Sequence, residues 1–187
     1  MLEVKFCKTK DLSEDKLLQL YTTARNYLYQ SPRGKVIFEA LESDPHKTVL
    51  HVNPAIDSTF QHDPKQGNFD AYWNPIKMLK LDGKNSQSPA LGLLHELGHG
   101  LQCQEALAEY ERRSNDVDYL EIEDDNLKHN ETVVAKEKGE PFREKYRDFM
   151  GANYFVGNRF KNMDVCKLVV FFRETVTAPT GDKKIYP

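Results

Sequence analysis

The sequence predicts one α+β domain: a small, mostly antiparallel sheet packed on a central helix, with additional helices around it. Three observations carry that prediction. A strongly capped helix starts at Ser88 and runs through "LHELGHGL" near the middle of the chain. Short β-branched or alternating stretches precede it at 47–52 and 68–75. Near the start, Leu17, Leu20, Tyr21, Ala24 and Leu28 repeat at helical spacing and make one apolar face.

In chain order, Ser13 caps the first helix, Asp15 sits in its first turn, and "SPRG" at 31–34 breaks it. A short second helix is expected at 35–43, ended by "SDP". "KTVLHV" (47–52) is a strand stopped by Asn53-Pro54, and the polar stretch 53–68 reads as a loop. "NFDAYWNP" (68–75) alternates Phe69, Ala71 and Trp73 against polar neighbours, as a half-buried strand does, and "IKMLKLD" (76–82) can extend the sheet. Ser88 and Pro89 are a cap and first-turn pair for the central helix. The acidic run at 116–125 reads as a solvated loop. "ETVVAKEKG" is a short helix stopped at Gly139, and "EPFREKYRDFMGANYF" is partly helical. "CKLVVFF" (166–172) is buried as strand or helix. Residues 1–175 are expected to form the domain. The polar tail 176–187 is expected to be loose, as in a piece of a longer protein.

Composition narrows the function. The chain of 187 residues carries 26 Lys+Arg against 29 Asp+Glu, a net charge of −3, which disfavours non-specific nucleic-acid binding. No apolar run is long enough to span a bilayer, and no Sec-type signal peptide opens the chain. Cys7, Cys103 and Cys166 are few, odd in number and far apart, so neither a disulfide framework nor a cysteine zinc site is expected.

"LHELGHGL" carries the chemistry. On a helix, positions i and i+4 share a face, so His95 and His99 can turn two imidazoles toward one ion. Glu96 lies on the adjacent edge, placed to act as general base toward a water on that ion. A zinc ion (Zn2+) is the expected cofactor, and with the preceding strands the pattern implies a zincin-like metalloprotease fold. Gly92, Gly98 and Gly100 each weaken a helix by ~1 kcal/mol and are tolerated where another element packs closely.

A catalytic zinc needs a third protein ligand. The metzincin extension is absent, since Gln102 and Glu105 stand where its glycine and histidine would be. The candidates are Asp118, Glu121, Glu123, Asp124, Asp125 and Glu131, with His129 as an outsider. A ligand belongs on a rigid element. That favours Glu131, which opens a helical segment, ahead of Glu121 and Asp118.

"LLHELGHGLQ" followed by "ETVVAKEKGEPFREKY" resembles the NleD-type zinc metallopeptidases of bacterial effectors and toxins. That family follows its zinc helix with a Glu-Asn pair and a Gly-x-Pro-x-Arg-x-x-Tyr segment. Gly139, Pro141, Arg143 and Tyr146 match it, and the family glutamate falls on Glu131. Thr132 stands where the family has asparagine. The resemblance spans roughly residues 88–146. It implies His95, His99 and Glu131 as zinc ligands, with Glu96, Arg143 and Tyr146 as catalytic residues. Arg143 and Tyr146 would stabilise the oxyanion or position substrate. It also implies a monomeric endopeptidase of the bacterial cytoplasm, delivered to the host cytosol by a specialised secretion system. The partner it implies is a host protein, and a narrower likeness, to one effector protease, implies actin. Two other readings use the same residues: a non-catalytic binding module with a structural zinc, and a non-peptide zinc amidase. An extended protein substrate is expected to pair with an edge strand from region 68–75.

Overall fold

The computed structural model describes residues 1–63, 68–82, 85–114, 119–149 and 151–154. The 166–172 segment, Cys166, Asp118 and the 176–187 tail lie outside the described residues, so the expected domain limits do too.

The chain opens with a strand the sequence reading did not expect, β1 (Leu2–Phe6). Helix α1 (Glu14–Tyr29) follows; Ser13 accepts a hydrogen bond from Lys16 N at 3.3 Å, and the five predicted apolar residues are all buried. "SPRG" ends this helix and starts the next. Ser31 caps α2 (Pro32–Ser43) through Gly34 N, and Pro32 takes the first turn, where it needs no N–H partner. Strand β2 (Thr48–Val52) pairs parallel with β1. Two helices between them supply the crossover that parallel pairing requires.

The expected loop at 53–68 contains β3 (Thr59–Asp63), antiparallel to β4 (Asn68–Trp73). Strand β4 also pairs parallel with β2, so the order is β1-β2-β4-β3 and β3 is an edge. This corrects two expectations. The sheet against the central helix is mixed, with two parallel pairings and one antiparallel. Region 68–75 is interior and has no free edge to offer. A second small sheet, order β6-β5-β7, is antiparallel: β5 (Lys77–Lys80), β6 (Ser86–Gln87) and β7 (Gly151–Tyr154).

Helix α3 (Pro89–Ser114) is kinked at Ala106 and packs on α1, α2, β3 and β4. Its start is fixed from two sides. Trp73 Nε1 donates to Pro89 O at 2.7 Å, and Glu140 accepts from Ser88 N at 2.9 Å and Ser88 Oγ at 2.8 Å. Leu91, Leu93, Leu94, Leu97 and Leu101 seat it in the core with Trp73, Phe38 and Ile37. The expected acidic loop is instead α4 (Tyr119–Asn126), continued by a π-helical turn (Leu127–Glu131) into α5 (Thr132–Lys138). Gly139 ends α5 at φ 68°, the left-handed cap that favours glycine. Beyond it, described residues 140–149 form turns and no helix.

Candidate metal centre

His95 and His99 face the same way one helical turn apart, with Nε2 atoms 3.2 Å from each other. Glu123, from α4, brings Oε2 to 2.9 Å from His95 Nε2 and 3.1 Å from His99 Nε2. All three residues are buried and form a group able to hold a metal ion.

The donor set fits such an ion on geometric grounds. Ligands ~2.0–2.1 Å from a tetrahedral zinc lie ~3.3–3.4 Å apart, and the three atoms here already approach that triangle. It also fits on charge. Burial opposes a proton on His95, but the Glu123 and Glu131 carboxylates outweigh it and push the imidazole up to about 10. Burial likewise works against the Glu123 carboxylate, and the two histidines hold it below its ordinary range. The cluster therefore demands a positive charge between its donors, supplied by a proton or by a metal ion that displaces it.

Glu131 does not join this triangle. Its Oε2 lies 2.9 Å from His95 Nδ1, on the far side of the ring, at an angle that falls short of a hydrogen bond. Arg143 clamps the carboxylate with both arms, Nε to Oε1 at 3.1 Å and Nη2 to Oε2 at 2.8 Å, and Gln87 Nε2 donates to Oε1 at 2.8 Å. Burial alone would raise the Glu131 carboxyl; His95 and Arg143 reverse that and take it down to about 2. A carboxylate behind a ligating imidazole orients the ring and raises its basicity. The geometry thus gives the third corner to Glu123 and a place behind His95 to Glu131, because α4 is a helix rather than a loop and carries Glu123 inward.

Arg143 is likewise occupied: its remaining Nη1 donates to Tyr146 O at 2.6 Å. Tyr146 stacks on His95, with ring centroids 5.6 Å apart and planes 18° apart, beneath the Arg143 guanidinium at 4.7 Å. Both predicted residues are at the site, but the guanidinium serves Glu131 first.

Among the described residues Glu96 has no hydrogen-bond partner, although it is only 7% exposed. Burial, with Glu123 and Glu131 nearby, pushes its carboxyl up to about 7 against the pull of His95. A carboxylate free of partners and tuned near neutrality suits proton transfer.

The other candidates fall away. Glu121 and Asp125 pair with Arg113 at 3.4 and 3.0 Å, Asp124 accepts from Tyr146 N at 2.9 Å, and His129 is exposed.

Close helix packing makes the convergence possible. Asn126 Nδ2 donates to His95 O at 2.8 Å and its Oδ1 accepts from Asn130 at 2.8 Å. A Cβ on Gly98 would stand 2.1 Å from Asn126 Oδ1 and 2.9 Å from Asn130 Nδ2, so only glycine lets the helices approach this far. Gly100 meets Leu41 closely, while Gly92 has open space. The sequence reading did not single out Gln87, Asn126 or Asn130. For the two asparagines the signal in the sequence is the helical spacing of Ile122, Asn126, Leu127 and Asn130, which the density of acidic residues masks.

On the sheet side, Phe60 of β3 places its ring 5.8 Å from that of His99, and Tyr110 lies 6.2 Å from it. The edge strand and the centre are therefore contiguous. Among the described residues no helix is long and apolar enough to cross a membrane. Set against family models, curated proteins and solved structures, the chain finds no match in any of the three.

Proposed function

We propose that the protein is a zinc-dependent endopeptidase with His95, His99 and Glu123 as metal ligands and Glu96 as general base. The observation that carries this reading is the meeting of two imidazole nitrogens and one carboxylate oxygen within 3.2 Å, beside a buried carboxylate that has no hydrogen-bond partner among the described residues. When bound, zinc supplies Lewis acidity, polarising a carbonyl and acidifying water. The chain's own residues do the rest. Glu96 takes the proton of the attacking water and delivers it to the leaving amine. Glu131 and Arg143 hold the His95 ring in place, and Tyr146 closes one side of the centre, where its hydroxyl is a candidate donor to the oxyanion. A substrate strand would pair with the edge of β3 that no strand among the described residues covers.

The NleD-type resemblance supports a bacterial effector acting on a host cytosolic protein, and the narrower likeness to one effector protease makes actin the first substrate to test. The test is incubation of the zinc-loaded chain with purified actin and with host-cell extract, alongside Glu96→Gln and metal-free controls. New fragments should appear with the wild-type chain alone, and Glu96→Gln should keep its zinc. Cleavage that persists in Glu96→Gln removes the assignment of the base.

A further inference from the structure

Gln102 stands three residues after His99, on the same side of α3. Its Oε1 lies 2.9 Å from His99 Nδ1, and its Nε2 donates to Ile122 O at 3.1 Å. The second contact decides the first. A backbone carbonyl only accepts, so the amide nitrogen must face Ile122 and the amide oxygen must face the imidazole. An oxygen there accepts, so Nδ1 carries the ring proton. A neutral imidazole has one such proton, which leaves Nε2 bare toward His95 and Glu123.

We infer that Gln102 is a positioning residue that fixes the tautomer of His99. It also sets the distance between α3 and α4, because Ile122 directly precedes Glu123. One side chain thus orients one donor and anchors the backbone beside another. The inference rests on the metal reading of the site and adds to it a residue that sits where a metzincin would have glycine. Gln102 is half-buried and borders a cavity of about 510 Å³ shared with Arg33, Glu105 and His129. Its replacement therefore has room to be accommodated.

The experiment uses the full chain, zinc titrated against a chromophoric chelator, and ¹⁵N–¹H spectra of the imidazole rings. Wild-type zinc-loaded protein should show a His99 Nδ1–H protected from exchange. Gln102→Met, which keeps length and loses both polar atoms, should weaken zinc binding by about 10–100-fold and lose that protection. Gln102→Glu keeps the acceptor toward Nδ1 but loses the donor to Ile122 O, so it should recover part of the affinity and the Nδ1–H protection. Unchanged affinity in Gln102→Met, or equal losses in the two variants, overturns the inference. Should Gln102→Met not fold, the wild-type resonance and Gln102→Glu decide alone: a bare His99 Nδ1 overturns it. If the wild-type chain takes up no zinc, the metal reading fails separately. The metal-free His99 spectrum then settles Gln102, with Nδ1–H bonded to it in support and its absence against.

Discussion

His95 and His99 present the same atom to Glu123, yet they are backed by opposite kinds of chemistry. Behind His95 lies a buried ion pair, Glu131 with Arg143, reinforced by Gln87. Behind His99 lies a neutral amide, Gln102, tied to a carbonyl and bordering an open cavity. A neutral backing fixes direction at little cost. A charged backing also feeds electron density to the ring, but it is stable only while both charges are present. The two sides should therefore fail differently when damaged.

The largest stability effect should come from Arg143→Met. It takes away one of the two cations facing the Glu131 carboxylate, 1% exposed, leaving only His95, and should cost about 3 kcal/mol in denaturant unfolding of the metal-free chain. Adding Glu131→Gln to that variant should restore part of the loss. A single variant as stable as wild type would show that the pair does not carry His95. Gly98→Ala should cost about 1–3 kcal/mol, because the new methyl drives into Asn126 and Asn130 where α3 meets the helix bearing Glu123. A thermal melt identical to wild type would mean the helices are not in such close contact.

Acid should act through the charged side. The Glu131 carboxyl is held at about 2, against an ordinary 4.5, so it stabilises the fold above pH 4.5. That contribution should fade as pH falls from 4.5 toward 2, and Glu131→Gln should flatten this part of the stability profile. At neutral pH the smallest signal is a proton count. His95 is held protonated up to about 10 without metal, so zinc uptake at pH 7 should release about one proton. Titration calorimetry in buffers of different ionisation enthalpy reads that number. Zero release would mean the proton and the metal do not compete for His95.

Much of this centre was legible in the sequence, and the reason it was only half legible is physical. Ser88, Pro89 and the i, i+4 histidines are local signals, and they placed His95, Glu96 and His99 on one helix. Trp73 was expected in the core and is there, bonded to Pro89 O. The third corner was different. Glu123 was one acidic residue among several, and only its helical phase distinguishes it. That phase is set by packing of Ile122 and Leu127, and the π-helical turn then shifts the register before Glu131. No simple period relates the two glutamates, so chain logic favoured the one that opens a recognisable helix. The sheet shows the same limit. Strand β4 alternates and was visible. Strand β1 alternates too, Leu2, Val4 and Phe6 against Glu3 and Lys5, so its pattern is open to reading; "TFQHD" carries one apolar residue, so pairing with β4 rather than local pattern makes it a strand.

The central claim is that Glu123 completes the metal site and Glu131 supports it from behind. Zinc affinity of Glu123→Ala and Glu131→Ala, measured side by side by chelator competition against wild type, tests it most directly. The account predicts that Glu123→Ala loses at least about 1,000-fold and Glu131→Ala about 10–100-fold, each with wild-type stoichiometry where binding persists. The reverse order, with Glu131→Ala abolishing binding and Glu123→Ala sparing it, would contradict the account.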